Sequence, residues 1–549
     1  MTADVWDFVI VGSGFGGSVS ALRLVEKGYR VLLLEKGRRY AAEDFPETNW
    51  NLRRWLWAPK AGLRGPFRMT FLRHVTALSG VGVGGGSLVY ANTLERPERG
   101  FFDAPSWAHL ADWEAELAPH YETARRMLGA TECPARTYPD EVIGAVAREM
   151  GLEERHRPVE VGVFYGEPDE TVPDPYFGGE GPERTGCVGC GGCMLGCRYG
   201  AKNTLDLNYL HLAEARGLDL RPQHEVTWIR PVGRGGETAA PAGRGGMKGA
   251  AGDAGDETIY EVEALAGPER WWWPRRQVTF RTRNVVLAAG VLGTVPLLLK
   301  LRRSPDVLPE LSERVGDFVR TNSEVLMGVV SGRRDRAMSE GVAITSILRT
   351  DEQSSLEPVR YPDGSGFFRL LMAPHAPGDT VWERLGNGLL RVAREPLRFL
   401  KALTVRDHAR HTLILLYMRT LESHLSVDEG GWGRPLRTRV ADGPAPTASI
   451  PEATELAERV AREVDGFPAS LVTETLLGRP TTAHILGGAV MGEGPDTGVI
   501  GADHRVWGYP GVRVVDGSAV SANPGVNPAL TSTALAARAM ALVEECGRS

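Results

Sequence analysis

Cysteine is scarce in this chain: six residues in 549. Four of the six fall within eleven positions, Cys187 to Cys197, in the stretch "CVGCGGCMLGC". A disulfide framework would disperse its cysteines, and a catalytic thiol would need only one. Positive charge is not in excess either. The formal net charge is −6, which gives no electrostatic reason to expect nucleic acid as a partner. No apolar run approaches the ~20 residues needed to cross a bilayer. No secretory leader precedes the first core-like segment, "DFVIVGSGFGG". These absences lead us to expect a cytoplasmic protein, in a compartment that keeps thiols reduced and favours metal ligation over disulfides. No internal repeat is visible. The length allows two or more domains with a large core.

The first segment with a chemical meaning is "DFVIVGSGFGGSVSALRLVEKGYRVLLLEKG". Phe8 to Val11 form an apolar run that stops at Gly12, as a strand of a parallel sheet would. Gly12, Gly14 and Gly17 then give G-x-G-x-x-G, with Phe15 and Gly16 between them. The first glycine permits a tight turn, the second lets a pyrophosphate approach the backbone, and the third lets the helix pack on the strand. The pyrophosphate would meet free N–H groups at the helix N-terminus. A second strand, Val31 to Leu34, ends at Glu35, whose carboxylate is placed to take the adenosine ribose hydroxyls. The fingerprint alone does not separate FAD from NAD. It occurs once, so one dinucleotide is expected. "NVVLAAGVLGT" (Asn284 to Thr294), with Ala289 and Gly290 at its small-residue turn, reads as a segment that closes over the adenosine half of a flavin, favouring FAD.

Three further stretches narrow the reading. "GVGVGGGSLVYANT" contains Gly84, Gly85, Gly86, Ser87 and Asn92 in a loop open enough for backbone amides to lie against a cofactor. "TTAHILGGAVMG" sets His484 before Gly487 and Gly488. "GVRVVDGSAVSANPGVNPALTSTALAARAM" gives a strand, a turn at Asp516 and Gly517, then Gly525, Val526, Asn527 and Pro528 before a final helix. With the N-terminal fingerprint, these resemble the glucose–methanol–choline (GMC) oxidoreductases along the whole chain, and within them the cholesterol oxidase-like branch. "CRYGAKNTLDLNYL" is similar to bacterial relatives of that branch that carry a cysteine cluster.

The resemblance implies an α/β fold. A Rossmann-like FAD-binding domain would be interleaved with a substrate-binding domain built on an antiparallel sheet with helices. Cofactor contacts are expected from the glycines named above, Phe15, Ser87, Glu35, Asn92, Val226, Ala289, Asp516, Asn527 and Pro528. The implied reaction oxidises the CH–OH of a sterol or another lipophilic alcohol. Hydride passes to flavin N5 while His484, near neutrality in its unperturbed pKa, takes the hydroxyl proton. Asn527 would orient the substrate oxygen or polarise the flavin edge, and Asp516 would sit beside the ribityl and pyrimidine region. Asn322 to Glu324, in "VRTNSEV", are further site candidates. Relatives that also isomerise a steroid double bond use an extra carboxylate in the substrate domain, and no matching Glu stands out. A redox-neutral flavin-dependent isomerase and an electron-transfer protein without its own substrate are competing classes.

The spacing C-x2-C-x2-C-x3-C is that of bacterial ferredoxins. Cys187, Cys190, Cys193 and Cys197 would hold a [4Fe–4S] or [3Fe–4S] cluster, relaying electrons from flavin to a carrier. Plain thiols or zinc are the alternatives, and an oxidase giving its electrons to oxygen would need no cluster.

By the resemblance, residues 1–95, 202–315 and 481–549 form the FAD-binding domain, and 96–201 and 316–480 the substrate-binding domain. Residues 233–256, rich in Gly and Ala, read as a flexible low-complexity insert. Two stretches mix basic and apolar residues in a way that suits peripheral contact with a membrane. One is "NLRRWLWAPKAGLRGPFRMTFL". The other is Trp382 to Leu403, a basic amphipathic helix broken at Pro396, with Leu385, Leu389, Val392, Phe399 and Leu403 on its apolar side. The competing reading packs that apolar side on the protein and leaves a solvated basic face. "WWW" at 271–273 suggests an aromatic surface patch.

Overall fold

The strand Val5–Val11 lies at the centre of the nucleotide-side sheet, between Val31–Glu35 and Arg276–Leu287 and parallel to both. The computed structural model describes residues 5–134, 136–232, 258–270, 274–304, 307–430, 436–441 and 445–547. The expected insert at 233–256 and the tryptophans at 271–273 lie outside them. From Val31–Glu35 the sheet continues to a parallel edge strand, Asp219–Pro222. On the other side Arg276–Leu287 pairs antiparallel with Ile259–Ala266, which pairs with His224–Val232. The C-terminal strand Tyr509–Val514 joins parallel to the end of Arg276–Leu287, between Val285 and Leu287. The sheet is therefore gathered from distant parts of the chain. Its central strands are buried on both faces, which is why they read as unbroken Val/Ile/Leu runs.

The helix Phe15–Glu26 packs on the terminal helix Ala529–Ala541, which in turn packs on Trp113–Met127. Phe101, Trp107, Trp113 and Tyr121 share one core cluster with the nucleotide sheet. Residues 101–128 thus pack on the nucleotide side, although the sequence division put 96–201 with the substrate domain.

A second sheet is antiparallel throughout. Its strands run Met372–Pro374, Phe467–Leu471, Val325–Val330, Thr412–Arg419, Ser354–Val359, Ser346–Arg349 and His156–Pro158. The helices Tyr138–Glu149 and Pro451–Glu463 cover one face, and their apolar stripes form a separate core cluster with that sheet. The architecture is the expected one: a Rossmann-like layer and an interleaved antiparallel one.

The expected amphipathic helix is two helices, Val381–Arg394 and Pro396–Leu403. Their orientation reverses the reading that packs the apolar side inward. Leu385, Leu389 and Leu403 are exposed, while Arg384 is buried. Phe399 does turn inward and meets the ring of Phe467. Among the described residues no helix is long and apolar enough to cross a membrane.

Candidate active site

The glycines of the N-terminal turn are each explained by what surrounds them. Gly12 has a left-handed backbone (φ 97°), and a Cβ there would lie 2.5 Å from the Ala288 carbonyl oxygen. A Cβ on Gly17 would meet the Gly12 carbonyl oxygen at 2.0 Å, and one on Gly16 the Val515 carbonyl oxygen at 2.3 Å. Around Gly14 there is open space, the one position of the turn where a ligand could lie against the chain. Gly14 also caps the helix Phe15–Glu26 without a side-chain hydrogen bond, so the first N–H groups stay available to an anion. The second glycine loop closes directly on this turn, with a Cβ on Gly85 reaching 2.6 Å from the Gly14 Cα. Ser87 braces that loop, donating to the Gly84 carbonyl and accepting from Leu205 N.

Glu35 is buried at the end of its strand. Its Oε2 accepts from Ser13 N and Oγ at 3.1 and 2.8 Å, and its Oε1 from Gly37 N at 2.7 Å. The carboxylate thus organises the turn around it. Asp516 is similarly occupied. It accepts from Gly290 N at 2.8 Å, Thr294 Oγ1 at 2.5 Å, and both the N–H and hydroxyl of Ser518. Burial pushes its carboxyl above the usual range. Ala289 is exposed beside Gly290, where no atom stands within 4 Å of a built Cβ. Asn92 is wholly buried with a left-handed backbone, and neither of its amide atoms has a partner. An orphaned amide is costly unless something else satisfies it. Together the open cradle at Gly14, the uncapped helix and the orphaned Asn92 fit a bound dinucleotide. Val226 lies half-buried on the strand His224–Val232, opposite Ala264, and does not line the cavity described next.

A cavity of about 240 Å³ lies between the two sheets. Its walls are mostly apolar, with Leu326, Val359, Ile414 and Leu416 from the antiparallel sheet and Phe15 and Gly86 from the nucleotide side. His484 and Asn527 line it as well, with Pro528 following Asn527.

His484 is held from behind. Its Nδ1 lies 2.5 Å from Glu324 Oε2, and Glu324 Oε1 accepts from Ala483 N. The His484 N–H donates to Thr482 Oγ1 at 2.9 Å. With Nδ1 taken, Nε2 is the nitrogen left for the cavity. The same turn that presents Glu324 also grips the other partner. Asn322 donates from Nδ2 to the Val526 carbonyl at 3.0 Å and accepts from Gly525 N at 2.9 Å, fixing the chain that carries Asn527. Asn322 and Ser323 both have left-handed backbones (φ 57° and 43°), which lets one tight turn aim both groups. Gly487 N donates to the Gly517 carbonyl, and Ala489 N to that of Ser518, so the His484 loop is stitched to the Asp516 turn.

One carboxylate escaped the sequence reading. Glu357 lies in the strand Ser354–Val359, opposite Leu416, completely buried. Neither oxygen has a closed hydrogen bond. Burial, then the negative charge of Glu95, push its pKa up to about 8, while the amide of Asn527 pulls the other way from longer range. In sequence it is one polar residue in a strand and carries no local signal. Lys202 escaped as well. Its buried ammonium donates to the carbonyls of Leu88, Tyr90 and Cys193 at 2.8–3.0 Å, tying the glycine loop to the cysteine segment.

The four clustered cysteines line one narrow cavity together with Gly191, Gly192 and Gly196. Gly189, Gly191 and Gly196 have left-handed backbones (φ 64°, 70° and 98°) that wrap the chain around it. The Gly189 N–H points at Cys187 Sγ, 3.4 Å away. Desolvation pushes three of the thiols up: Cys190, Cys187 to about 12 and Cys193 to about 11. Among the described residues no group of three or more His, Cys, Asp or Glu side chains is gathered to hold a single metal ion. Met194 lines the apolar cavity and its neighbour Cys193 the cysteine cavity, so adjacent residues face the two spaces.

A dinucleotide cradle, a carboxylate-backed histidine and an asparagine meeting over an apolar cavity define an FAD-dependent enzyme that oxidises alcohols. The chain belongs to the GMC oxidoreductase family. Residues 437–536 match the GMC oxidoreductase model, and residues 10–44 match an NAD(P)-binding Rossmann-like domain. It is 40% identical to a cholesterol oxidase of Acinetobacter baumannii, over 98% of this chain and 94% of that protein. It is 42% identical to a cholesterol oxidase of Mycobacterium tuberculosis, over 98% and 91%. Among solved structures, pyridoxine 4-oxidase from Mesorbium loti shares the fold, with a TM-score of 0.60, 15% identity, and coverage of 98% of this chain and 99% of that one.

Proposed function

We propose that this enzyme oxidises the ring hydroxyl of a sterol to a ketone. The observation that carries the reading is the His484–Glu324 pair, which shares with Asn527 a cavity walled mostly by apolar side chains. The names of the 40–42% identical relatives support the substrate class. Gly12, Gly14, Gly84 to Gly86, Glu35, Asn92 and Gly290 would hold FAD, which supplies the acceptor for the hydride. His484 Nε2 takes the hydroxyl proton. Glu324 keeps Nδ1 occupied and steadies the positive charge that forms on the ring. The Asn527 amide orients the substrate oxygen, and the apolar walls exclude water from a rigid tetracyclic ligand. Within this reading residues 1–95, 202–315 and 481–549 hold the cofactor, with 101–128 packed against them, and the rest shapes the cavity. The test is anaerobic titration of the holoenzyme with a sterol. Bleaching of the flavin band with formation of a ketone two hydrogens lighter supports the reading. No bleaching by any sterol, with bleaching by a small polar alcohol, overturns the substrate class.

We infer a second step from Glu357, which is buried two residues before the cavity-lining Val359 and senses Asn527. A carboxyl with a pKa near the working pH can take a proton from carbon and return it elsewhere. Such a group beside Asn527 would shift a C=C bond into conjugation with the new ketone: the proton leaves the carbon between them and is returned to the far alkene carbon. This favours oxidation followed by isomerisation over a redox-neutral isomerase. Conjugated product from the parent and unconjugated ketone from Glu357→Gln would support it. Conjugated product from both would refute it.

For the electrons we propose a cluster at Cys187, Cys190, Cys193 and Cys197. The reading rests on the ferredoxin-type spacing and on all four thiols lining one narrow cavity. An N–H directed at sulfur, as from Gly189, suits such a site. Bound there, the cluster would be a one-electron relay to a carrier. Direct reaction with oxygen is the second reading, favoured by the relatives' names. Protein prepared without air should contain three or four irons per chain with acid-labile sulfide. FAD-replete protein with neither would decide for oxygen.

A further inference from the structure

The helices Val381–Arg394 and Pro396–Leu403 are amphipathic with the wrong side out. Trp382 (81% exposed), Leu385 and Leu389 (73%) form one outward row, and Leu397 (74%), Leu400 (56%) and Leu403 continue it. The spacing of three and four residues puts each set on a single helix face. The charged side faces the protein. Arg384 is buried and donates to the carbonyls of Gly378, Asp379 and Leu476. Arg391 pairs with Glu458, and Arg398 and Lys401 pair with Asp465. A surface helix of a water-soluble protein has the opposite arrangement.

The apolar row does not stop at the helix ends. Leu370 is 66% exposed, and Arg369 beside it donates to the carbonyls of Leu403 and Val405. Patches of this size mark an interaction surface. The helices rest on the strands Met372–Pro374 and Phe467–Leu471 and the helix Val472–Leu477. Met372 and Leu471 of those same elements line the large cavity. The patch and the cavity therefore share walls.

Charge chooses the occupant. Of the six basic side chains in residues 381–406, four are engaged with the protein, which leaves Arg394 and Arg406 exposed against one exposed acid, Glu383. Arg394 and Arg406 are exposed beside the leucines. Two copies meeting on this face would bring like charges together, whereas lipid phosphates would meet basic groups and acyl chains the leucines. We propose that this helix pair seats the enzyme on an anionic lipid bilayer, with Trp382, Leu389, Leu397 and Leu400 among the acyl chains and Arg394 and Arg406 at the phosphates. A lipophilic substrate would then enter the cavity from the bilayer. That last step rests on the sterol reading, but the seating does not.

The test is co-sedimentation of FAD-loaded enzyme with sterol-free vesicles of phosphatidylcholine containing phosphatidylglycerol. The parent should pellet with them, and Leu389→Glu/Leu397→Glu should bind at least about tenfold more weakly while its FAD content and its rate on detergent-dispersed substrate stay within about twofold. Arg394→Glu/Arg406→Glu, which leaves the apolar row intact, should lose binding to these vesicles more than to pure phosphatidylcholine, keeping the test open if the leucine variant fails to fold. A parent that stays in the supernatant would overturn the proposal, as would variants that bind like the parent. So would a parent that is a dimer in solution, bypasses the vesicles, and becomes monomeric in the leucine variant. Loss of activity on dispersed sterol by the parent itself would count against the sterol reading alone.

Discussion

His484 Nδ1 and Glu324 Oε2 stand 2.5 Å apart although 160 residues separate them in sequence. The contact joins the nucleotide side of the molecule to the antiparallel sheet, because Glu324 immediately precedes the strand Val325–Val330. It fixes the ring's orientation and leaves Nε2 free of Glu324. Glu324→Gln should therefore keep FAD and fold while slowing anaerobic flavin reduction by ~10–10³-fold, a share of what a positioned base contributes. Stopped-flow reduction at saturating substrate measures this. A rate within threefold of the parent would make the pair a structural contact only.

Asn322 ties the turn to the chain carrying Asn527 through two buried hydrogen bonds. Asn322→Ala removes both and puts a Cβ-bearing residue without a compensating amide at φ 57°. A loss of about 2–4 kcal/mol in stability is expected. Denaturant unfolding checks it, and a loss under about 1 kcal/mol would show that the turn holds without the clamp.

Glu357 gives a pH dependence of stability. Its pKa rises from 4.5 to about 8 on folding, so between those values the folded protein binds the extra proton and stability falls as pH rises. Glu357→Gln removes the titration. The melting temperature of the variant should match the parent's near pH 4.5 and exceed it increasingly up to pH 8. A difference that does not grow with pH would contradict the assignment.

Glu35→Ala should weaken FAD binding by ~1–3 kcal/mol, because the turn around Ser13 and Gly37 loses its charged acceptor. Flavin retention on dilution measures it, and undiminished retention would remove Glu35 from the cofactor site.

What the sequence disclosed and what it withheld follow from range. The turn at Gly12 to Gly17 and the strand ending at Glu35 are local, so spacing alone located them. His484 and Asn527 could be named only through the resemblance, whose short glycine- and proline-marked motifs contain them. Glu324 was visible only as a polar residue near a turn, since its partner is supplied by tertiary packing. Glu357 gave no signal at all: one Glu in a short strand reads as surface until the sheet buries it. The helices at 381–403 showed their two-sidedness in sequence, but only packing tells which side meets the protein. There the buried Arg384 and its three carbonyl partners settled the orientation.

The central claim is that His484 removes the hydroxyl proton while a sterol gives its hydride to FAD. The most direct measurement is single-turnover flavin reduction by a sterol, without oxygen, in the parent and in His484→Ala, each loaded with one FAD. The account predicts full bleaching in the parent and a rate ~10²–10⁴-fold lower in the variant, with flavin content unchanged. Equal rates in the two proteins would contradict it.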